Sequence, residues 1–482
     1  MATTALSLFL FLFLFLFLIP SSSSYSDQHF QLLDVAALRH HARQVFSQNN
    51  LAENHPTTIH QRNLPSPAGP PTLSLTLHPR SSLPFSHTTA NYTSLTLSRL
   101  ARDEARVDSI LLRHSLSLSG RSPSEFTPQQ FQSPVISGIR QGSGEYFARI
   151  GVGRPAKDFY MVIDSGSDIS WLQCQPCADC YNQTDPIFNP AASATYRTVT
   201  CSSQQCTALE VSACRTDACL YQVSYGDGSY TVGNFATDTV SFGTSGSVPN
   251  VAIGCGHHNE GLFAGAAGLL GLGGGSLSLP SQIKATSFSY CLVNRDSTSS
   301  STLEFNSARP TDSVLAPLLS NSLIKTYHYV GLTGINVGGQ PVRFSPSLFE
   351  IGGDGRGGVI IDSGTAVTRL RAEVYNSVRD AFASMAQDLP ATSGFSLFDT
   401  CYDLSRMTRV RVPTVSFQFG GGKTVALRPS NYLIPVDDGG KFCFAFAGTS
   451  GTLSIIGNVQ QQGTRVSYDL ANKYIGFSPN KC

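Results

Sequence analysis

Charge is what this chain of 482 residues has least of: Asp, Glu, Lys and Arg together make up 13% of it, and the formal balance is +1. So neutral a chain excludes nucleic acid and anionic membranes as main partners. After Ile19 no stretch is apolar enough to cross a bilayer, so no stable membrane span is expected. The ending Pro479-Asn-Lys-Cys482 carries neither a lipid-anchor tail nor a Lys-Asp-Glu-Leu-type retention signal. Sparse charge combined with 43 glycines and 26 prolines disfavours a helical bundle. It points to a β-rich, turn-rich chain of two or three domains.

What is present begins with an unbroken apolar run, Ala5 to Ile19, followed by Pro20 and four serines. The run is short for a membrane span and reads as a signal peptide, residues 1–24, cleaved near Ser24 to Ser26. It lacks the usual Lys or Arg in front, which leaves an uncleaved anchor as the alternative. Twelve cysteines, an even number, behind such a segment imply disulfides. Cys174-x-x-Cys177-x-x-Cys180 could in isolation hold zinc or an iron–sulfur cluster. An oxidising compartment and the scarcity of histidine beside it argue for crosslinks and against a metal.

The chain is organised around a repeated motif. Val162-Ile163-Asp164-Ser165-Gly166-Ser167 and Val359-Ile360-Ile361-Asp362-Ser363-Gly364-Thr365 lie about 200 residues apart. Each reads as a buried strand ending in a tight turn that glycine permits. Each therefore delivers one carboxylate from the end of a rigid element. Asp-Ser-Gly alone is a weak signal, but two copies, one per half of the chain, suggest one shared site. Two carboxylates in contact cannot both ionise, so they hold one proton between them. The charged member can then deprotonate a water while the protonated member hydrogen-bonds a carbonyl.

With Tyr225-Gly-Asp-Gly-Ser229, Trp171, the twelve cysteines and the ending Ile455-Ile-Gly-Asn-Val-Gln-Gln-Gln462, these motifs make the chain from about Glu145 to Cys482 resemble the pepsin-like aspartic proteases. It resembles in particular the plant nepenthesin-like branch and the proteins called aspartic protease in guard cell. The resemblance implies an all-β fold of two lobes related by an approximate two-fold axis, with a cleft between them. It implies catalytic Asp164 and Asp362, a flap tyrosine at Tyr225 hydrogen-bonded by Trp171, and substrate contacts from Gly166, Ser167, Gly228, Gly364 and Thr365. Ser165 and Ser363 stand where the family usually has threonine and would lock the two loops together through their hydroxyls. Asp168 reads as a surface or turn residue, and Asp227 as a charge near bound substrate. The implied disulfides are Cys174–Cys177, Cys180–Cys255, Cys201–Cys219, Cys206–Cys214, Cys291–Cys482 and Cys401–Cys443, with 174–219 as a cysteine-rich insertion. No cofactor is expected. The partners would be an extended peptide cut between bulky apolar residues, pepstatin-type inhibitors and the chain's own propeptide, in a secreted monomer of the apoplast, endoplasmic reticulum or vacuole.

Residues 25–132 hold eight of the eleven histidines and no cysteine. They read either as a linker arm or as a propeptide over the cleft, with basic residues near the catalytic carboxylates. Within them a helix is expected around Thr93 to Leu112, with Leu97, Leu100, Glu104, Val107 and Leu111 on one face and Arg99, Arg102, Arg106 and Arg113 on others. The lobes follow as 133–310 and 311–482, with residues 297–316 as their link. A helix is expected over Arg371–Leu389 with Val374, Val378, Phe382 and Met385 on one face. Asn91 and Asn182 are expected glycan sites. Ala267-Gly-Leu-Leu-Gly-Leu-Gly-Gly-Gly275 lacks the helix and ribose-binding acid of a dinucleotide loop. Rival functions are a catalytically weak binding or inhibitor protein of the xylanase-inhibitor type and a two-carboxylate glycoside hydrolase. The latter explains neither the duplicated loop nor the flap, and the second lobe has no room for a saposin-like insertion.

Overall fold

The computed structural model describes residues 29–47, 70–83, 91–119 and 145–482, except 226–228, 262 and 264. The expected signal peptide, the 132/133 boundary, Asp227 and Gly228 lie outside the described residues. The fold is mostly β, with two lobes of the pepsin-like kind.

The N-terminal segment contributes β1 (Phe30–Asp34), α1 (Val35–Ser47), β2 (Leu73–Pro79) and the long helix α2 (Tyr92–Leu118). The first lobe follows with β3 (Tyr146–Val152), β4 (Lys157–Asp164) and β5 (Trp171–Gln173), then β6 (Ala218–Ser224), β7 (Tyr230–Ser241), β8 (Ser247–Glu260) and β9 (Gly268–Gly271). Strand β4 runs antiparallel to β3 and parallel to β9, with Ile163 opposite Leu270. Its last four residues are all buried, as the Met-Val-Ile run requires.

Next come β10 (Ser287–Cys291), β11 (Ser301–Phe305) and β12 (Val314–Leu319). The Ser/Thr-rich stretch expected as a link, 297–316, thus carries strand over 301–305 and 314–316. In β11, Leu303 and Phe305 turn inward while Glu304 between them is only part-buried, and that alternation outweighs composition. The second lobe contains β13 (Val359–Ile361), β14 (Thr368–Arg371), α3 (Ala372–Met385), β15 (Phe446–Thr449) and β16 (Ser454–Ile456), and ends in β17 (Thr464–Asp469) and β18 (Tyr474–Pro479). Helix α3 starts one residue late and stops before the expected Leu389. Pro390 disfavours helical backbone at the residue before it. Its buried residues are Val374, Tyr375, Val378 and Phe382, and Met385 is partly buried.

The lobes repeat one another. Strand β13 runs parallel to β16, with Ile360 opposite Ile455, just as β4 runs beside β9. Between the lobes a shared sheet runs β3-β2-β11-β10-β17-β18-β12. Leu73, Leu75 and Leu77 of β2 all point into its core.

Six disulfides crosslink the chain. Cys291–Cys482 and Cys401–Cys443 pair as the resemblance implied. Four other implied pairs do not form. The structure has Cys174–Cys255, Cys177–Cys180, Cys201–Cys214 and Cys206–Cys219. The first follows from register: β5 runs parallel to β8 with Leu172 opposite Cys255, which brings the Cys174 and Cys255 Cα atoms to 5.3 Å. Non-reducing peptide mapping of the oxidised protein is expected to recover these six pairs, and a Cys180–Cys255 peptide would contradict them.

Candidate active site

Asp164 ends β4 and Asp362 follows β13, so sheet packing fixes both, and neither is accessible to solvent. The two Asp-Ser-Gly loops lock reciprocally. The Ser165 amide donates to Ser363 Oγ at 3.1 Å, and the Ser363 amide donates to Ser165 Oγ at 2.9 Å. Each hydroxyl in turn donates toward the carbonyl that precedes the opposite aspartate, Ile361 O at 3.5 Å and Ile163 O at 3.4 Å. The missing threonine methyls leave that network intact.

Around each carboxylate the donors are matched. Asp164 accepts from the Gly166 amide at 2.9 Å and the Ser167 hydroxyl at 2.5 Å. Asp362 accepts from the Gly364 amide at 3.1 Å, the Thr365 amide at 2.9 Å and the Thr365 hydroxyl at 2.6 Å. Glycine is required by space as well. A Cβ on Gly364 would lie 2.6 Å from the Arg106 guanidinium carbon. Gln461 and Asn458, from the Ile455–Gln462 motif, donate to the carbonyls of Asp362 and Ser363 at 3.1 and 3.0 Å.

Trp171 donates its indole N–H to Tyr225 Oη at 2.9 Å. Tyr225 lies just beyond β6, which forms a hairpin with β7. Burial raises the phenol to about 12, so it stays protonated. Gly228 lies outside the described residues.

Asp168 lies in the loop after β4, as expected of a turn residue, but it is part-buried there and not at the surface. It accepts from the Gly275 amide at 2.8 Å and the Thr326 hydroxyl at 2.7 Å, tying the first loop to the glycine run and to the start of the second lobe. Burial raises its carboxyl. Its short side chain, four residues past a buried strand, lands in a notch too tight for any residue but glycine at 273 and 275.

The occupant of the cleft is α2. Its buried face is only partly the apolar one expected: Leu100 and Val107 are buried, but Leu97 is 44% exposed and Glu104 is exposed, and Arg99, Arg102, Asp103 and Ile110 are buried as well. The cleft supplies partners that make this affordable. Arg99 meets Asp296 at 2.7 Å and Arg102 meets Glu145 at 3.0 Å. Arg106 sits between the two catalytic candidates. Its Nη1 donates to Asp164 Oδ2 at 2.9 Å and its Nε to Asp362 Oδ2 at 3.1 Å. Its Nη2 bonds both carboxylates at once, Asp164 Oδ1 and, at 3.0 Å, Asp362 Oδ2. Arg113 donates to the Ser224 carbonyl at 2.6 Å, with its guanidinium 4.9 Å from the Tyr225 ring centre.

Burial pushes the Asp164 carboxyl up, further than the Arg106 charge pulls it down. Asp362 is buried too, but Arg106 and the Thr365 and Gly364 donors outweigh burial and hold it low. The pair is thus split, with one member inclined to keep a proton and one to stay charged. The propeptide reading expected basic residues near the catalytic carboxylates without singling out Arg106, and Arg106 is the one that meets both. The spacing of Arg99, Arg102 and Arg106, at i, i+3 and i+7, was the signal that these arginines share a helix face.

Among known protein families, the description Xylanase inhibitor N-terminal matches residues 146–306 and Xylanase inhibitor C-terminal matches 327–479. The chain is 55% identical over 394 residues to Aspartyl protease family protein 2 of Arabidopsis thaliana, covering 80% of this chain and 81% of that one. It is 50% identical over 389 residues to the Arabidopsis thaliana Protein ASPARTIC PROTEASE IN GUARD CELL 2, covering 80% and 83%. It is 42% identical over 359 residues to aspartic proteinase nepenthesin-2 of Nepenthes gracilis, covering 73% and 81%. Among solved structures, soybean basic 7S globulin superposes with a TM-score of 0.56 at 21% identity over 70% of this chain and 94% of that one, a likeness of fold.

Proposed function

The chain belongs to the pepsin-like aspartic proteases of plants, and on that premise we propose that it is a secretory-pathway endopeptidase, made as a zymogen, that hydrolyses peptide bonds in acid. The observation that carries this is Arg106 Nη2, one nitrogen hydrogen-bonded to both Asp164 and Asp362. When α2 leaves, that place is open to a water. The ionised carboxylate takes a proton from it, and the protonated partner donates a hydrogen bond to the scissile carbonyl. The water oxygen attacks the carbonyl carbon. Collapse of the tetrahedral intermediate breaks the C–N bond as the leaving nitrogen gains a proton. Trp171 holds Tyr225 ready to close over the cleft and exclude water. Residues 25–132 would be the propeptide, and 133–310 and 311–482 the lobes. Asn91 and Asn182, both exposed, would be open to glycosylation.

The test is digestion of a denatured protein by the acid-matured chain at about pH 4 and about pH 7.5. Cleavage is expected only at the acidic value and only without pepstatin. Equal rates at both, or indifference to pepstatin, would contradict the reading. A binding protein of the same fold is the second reading, favoured by the xylanase-inhibitor description of the matching families. Against it stand both complete Asp-Ser-Gly loops and the flap tyrosine.

Acid is expected to release the N-terminal segment, with its histidines as the trigger. His114 on α2 is buried near Arg356 and Asp354, and His78 on β2 packs edge-on to Tyr160 near Arg149. Burial first, and then the arginine charge, lowers both below the ordinary 6.5. Their neutral forms stabilise the dock fully above 6.5, and this is lost as pH falls toward the depressed values, because the undocked segment takes up the protons. Glu145 and Asp296 are held low by Arg99 and its neighbours despite burial, so their contribution is lost at still lower pH. Asp103, raised by burial, acts in the opposite direction. Replacing His78 and His114 with glutamine is expected to move the activation midpoint to lower pH; an unchanged midpoint would reject histidine control.

A further inference from the structure

One ion pair in the cleft lies away from the catalytic pair. Arg369, in β14, is 4% exposed, and its Nη2 meets Asp103 Oδ2 at 2.7 Å. The Ala366 amide donates to Asp103 Oδ1, and the Val367 amide lies 3.3 Å from both carboxylate oxygens. A guanidinium and two backbone amides thus converge on one carboxylate, and that carboxylate belongs to α2. Among the described residues Arg369 makes no other ion pair. Its remaining bond, Nη1 to the Val367 carbonyl at 3.1 Å, holds its plane facing the cleft.

The position has a counterpart in the first lobe. Trp171 lies seven residues after Asp164 and pairs with Leu269 of the adjoining strand. Arg369 lies seven residues after Asp362 and pairs with Ile455. In one lobe this position holds the flap; in the other it presents a fixed cation to the cleft.

We infer that Arg369, with the Ala366 and Val367 amides, forms a substrate subsite for an acidic side chain, which Asp103 fills while α2 is docked. The inference rests on the propeptide reading of α2. Asp103 precedes Arg106 by three helical residues, about 4.5 Å along the axis. An extended substrate advances about 3.3 Å per residue. The acidic residue therefore sits one or two positions from the scissile bond. Apolar side chains can occupy the bond itself, so the enzyme would read apolar residues with a flanking Asp or Glu. Once α2 has left, the buried guanidinium would lack a carboxylate, which makes a neutral or basic side chain there unfavourable.

The test uses the acid-matured chain and fluorogenic peptides that are identical except for Asp, Asn or Lys at each of the two residues on either side of the scissile bond. Assays run at about pH 5, where a peptide aspartate is ionised. At one of these positions the Asp peptide is expected to exceed the Asn peptide in kcat/KM on the order of tenfold, with Lys below both. Arg369→Gln should bring the Asp/Asn ratio toward one, and Arg369→Lys should keep its sign. A ratio near one at every position in the unmodified enzyme overturns the subsite while leaving the protease reading intact. So does a ratio unchanged by Arg369→Gln. Failure to cleave any of the peptides overturns the protease reading and the subsite with it.

Discussion

Replacing Asp164 with asparagine is expected to lower kcat/KM on a denatured protein by on the order of 10³-fold or more at acidic pH, since an amide cannot hold the proton that the pair shares or pass it to the reacting atoms. The substitution should be clean. With its oxygen toward the Gly166 amide, the Asn nitrogen faces the Ser167 hydroxyl, which can rotate from donor to acceptor. Asp362→Asn should lose as much activity and, in addition, about 1–3 kcal/mol of stability. There, two backbone amides, Gly364 and Thr365, point at the two different oxygens, and an N–H fixed in the backbone cannot reverse its role. Activity within tenfold of the parent in Asp164→Asn would remove the hydrolytic mechanism. Thermal denaturation distinguishes the two variants. Retained binding of a peptide substrate by Asp164→Asn separates a lost proton transfer from a lost cleft.

The duplicated loops were legible in the sequence because their signal is local. A buried strand, a carboxylate and a glycine lie within seven residues, and the register of β4 against β9 and of β13 against β16 follows from two similar apolar runs. Basic residues were expected at the carboxylates, but which arginine reaches them, and the role of Arg369, were harder to see. Arg106 and Arg369 are both cations buried by partners more than 50 residues away in the chain, and hydrophobic periodicity assigns any charged residue to the solvent side. The same reason hid Asp168, whose partners Gly275 and Thr326 lie in distant loops. The cysteine pairs failed differently. Spacing admits many connectivities, and the one formed is chosen by which strands lie side by side. That the expected link carries strand β11 was not legible, because Ser and Thr are as compatible with an alternating strand as with a loop.

Removing the cation at the centre is expected to unmask the full-length chain. Arg106→Gln deletes every hydrogen bond from α2 to Asp164 and Asp362. Taking one partner from a buried ionic cluster costs about 3–5 kcal/mol, which shifts the docking equilibrium by roughly 10²- to 10³-fold. The two carboxylates left behind can share a proton, so the mature lobes should tolerate the change and the loss should fall on the dock. The helix keeps Arg99, Arg102 and Asp103 as anchors, so it should remain seated near neutral pH and leave at a higher pH than in the parent. The measurement is the initial rate of peptide cleavage on dilution of the uncleaved chain to about pH 5.5, without acid pre-incubation. The parent should show a lag and the variant little or none. The two should become indistinguishable once α2 has been cut away, because Arg106 then no longer belongs to the enzyme. An identical lag in both would mean that Arg106 fills the site without holding it shut, and the inhibitory role would pass to the Arg99, Arg102 and Asp103 pairs.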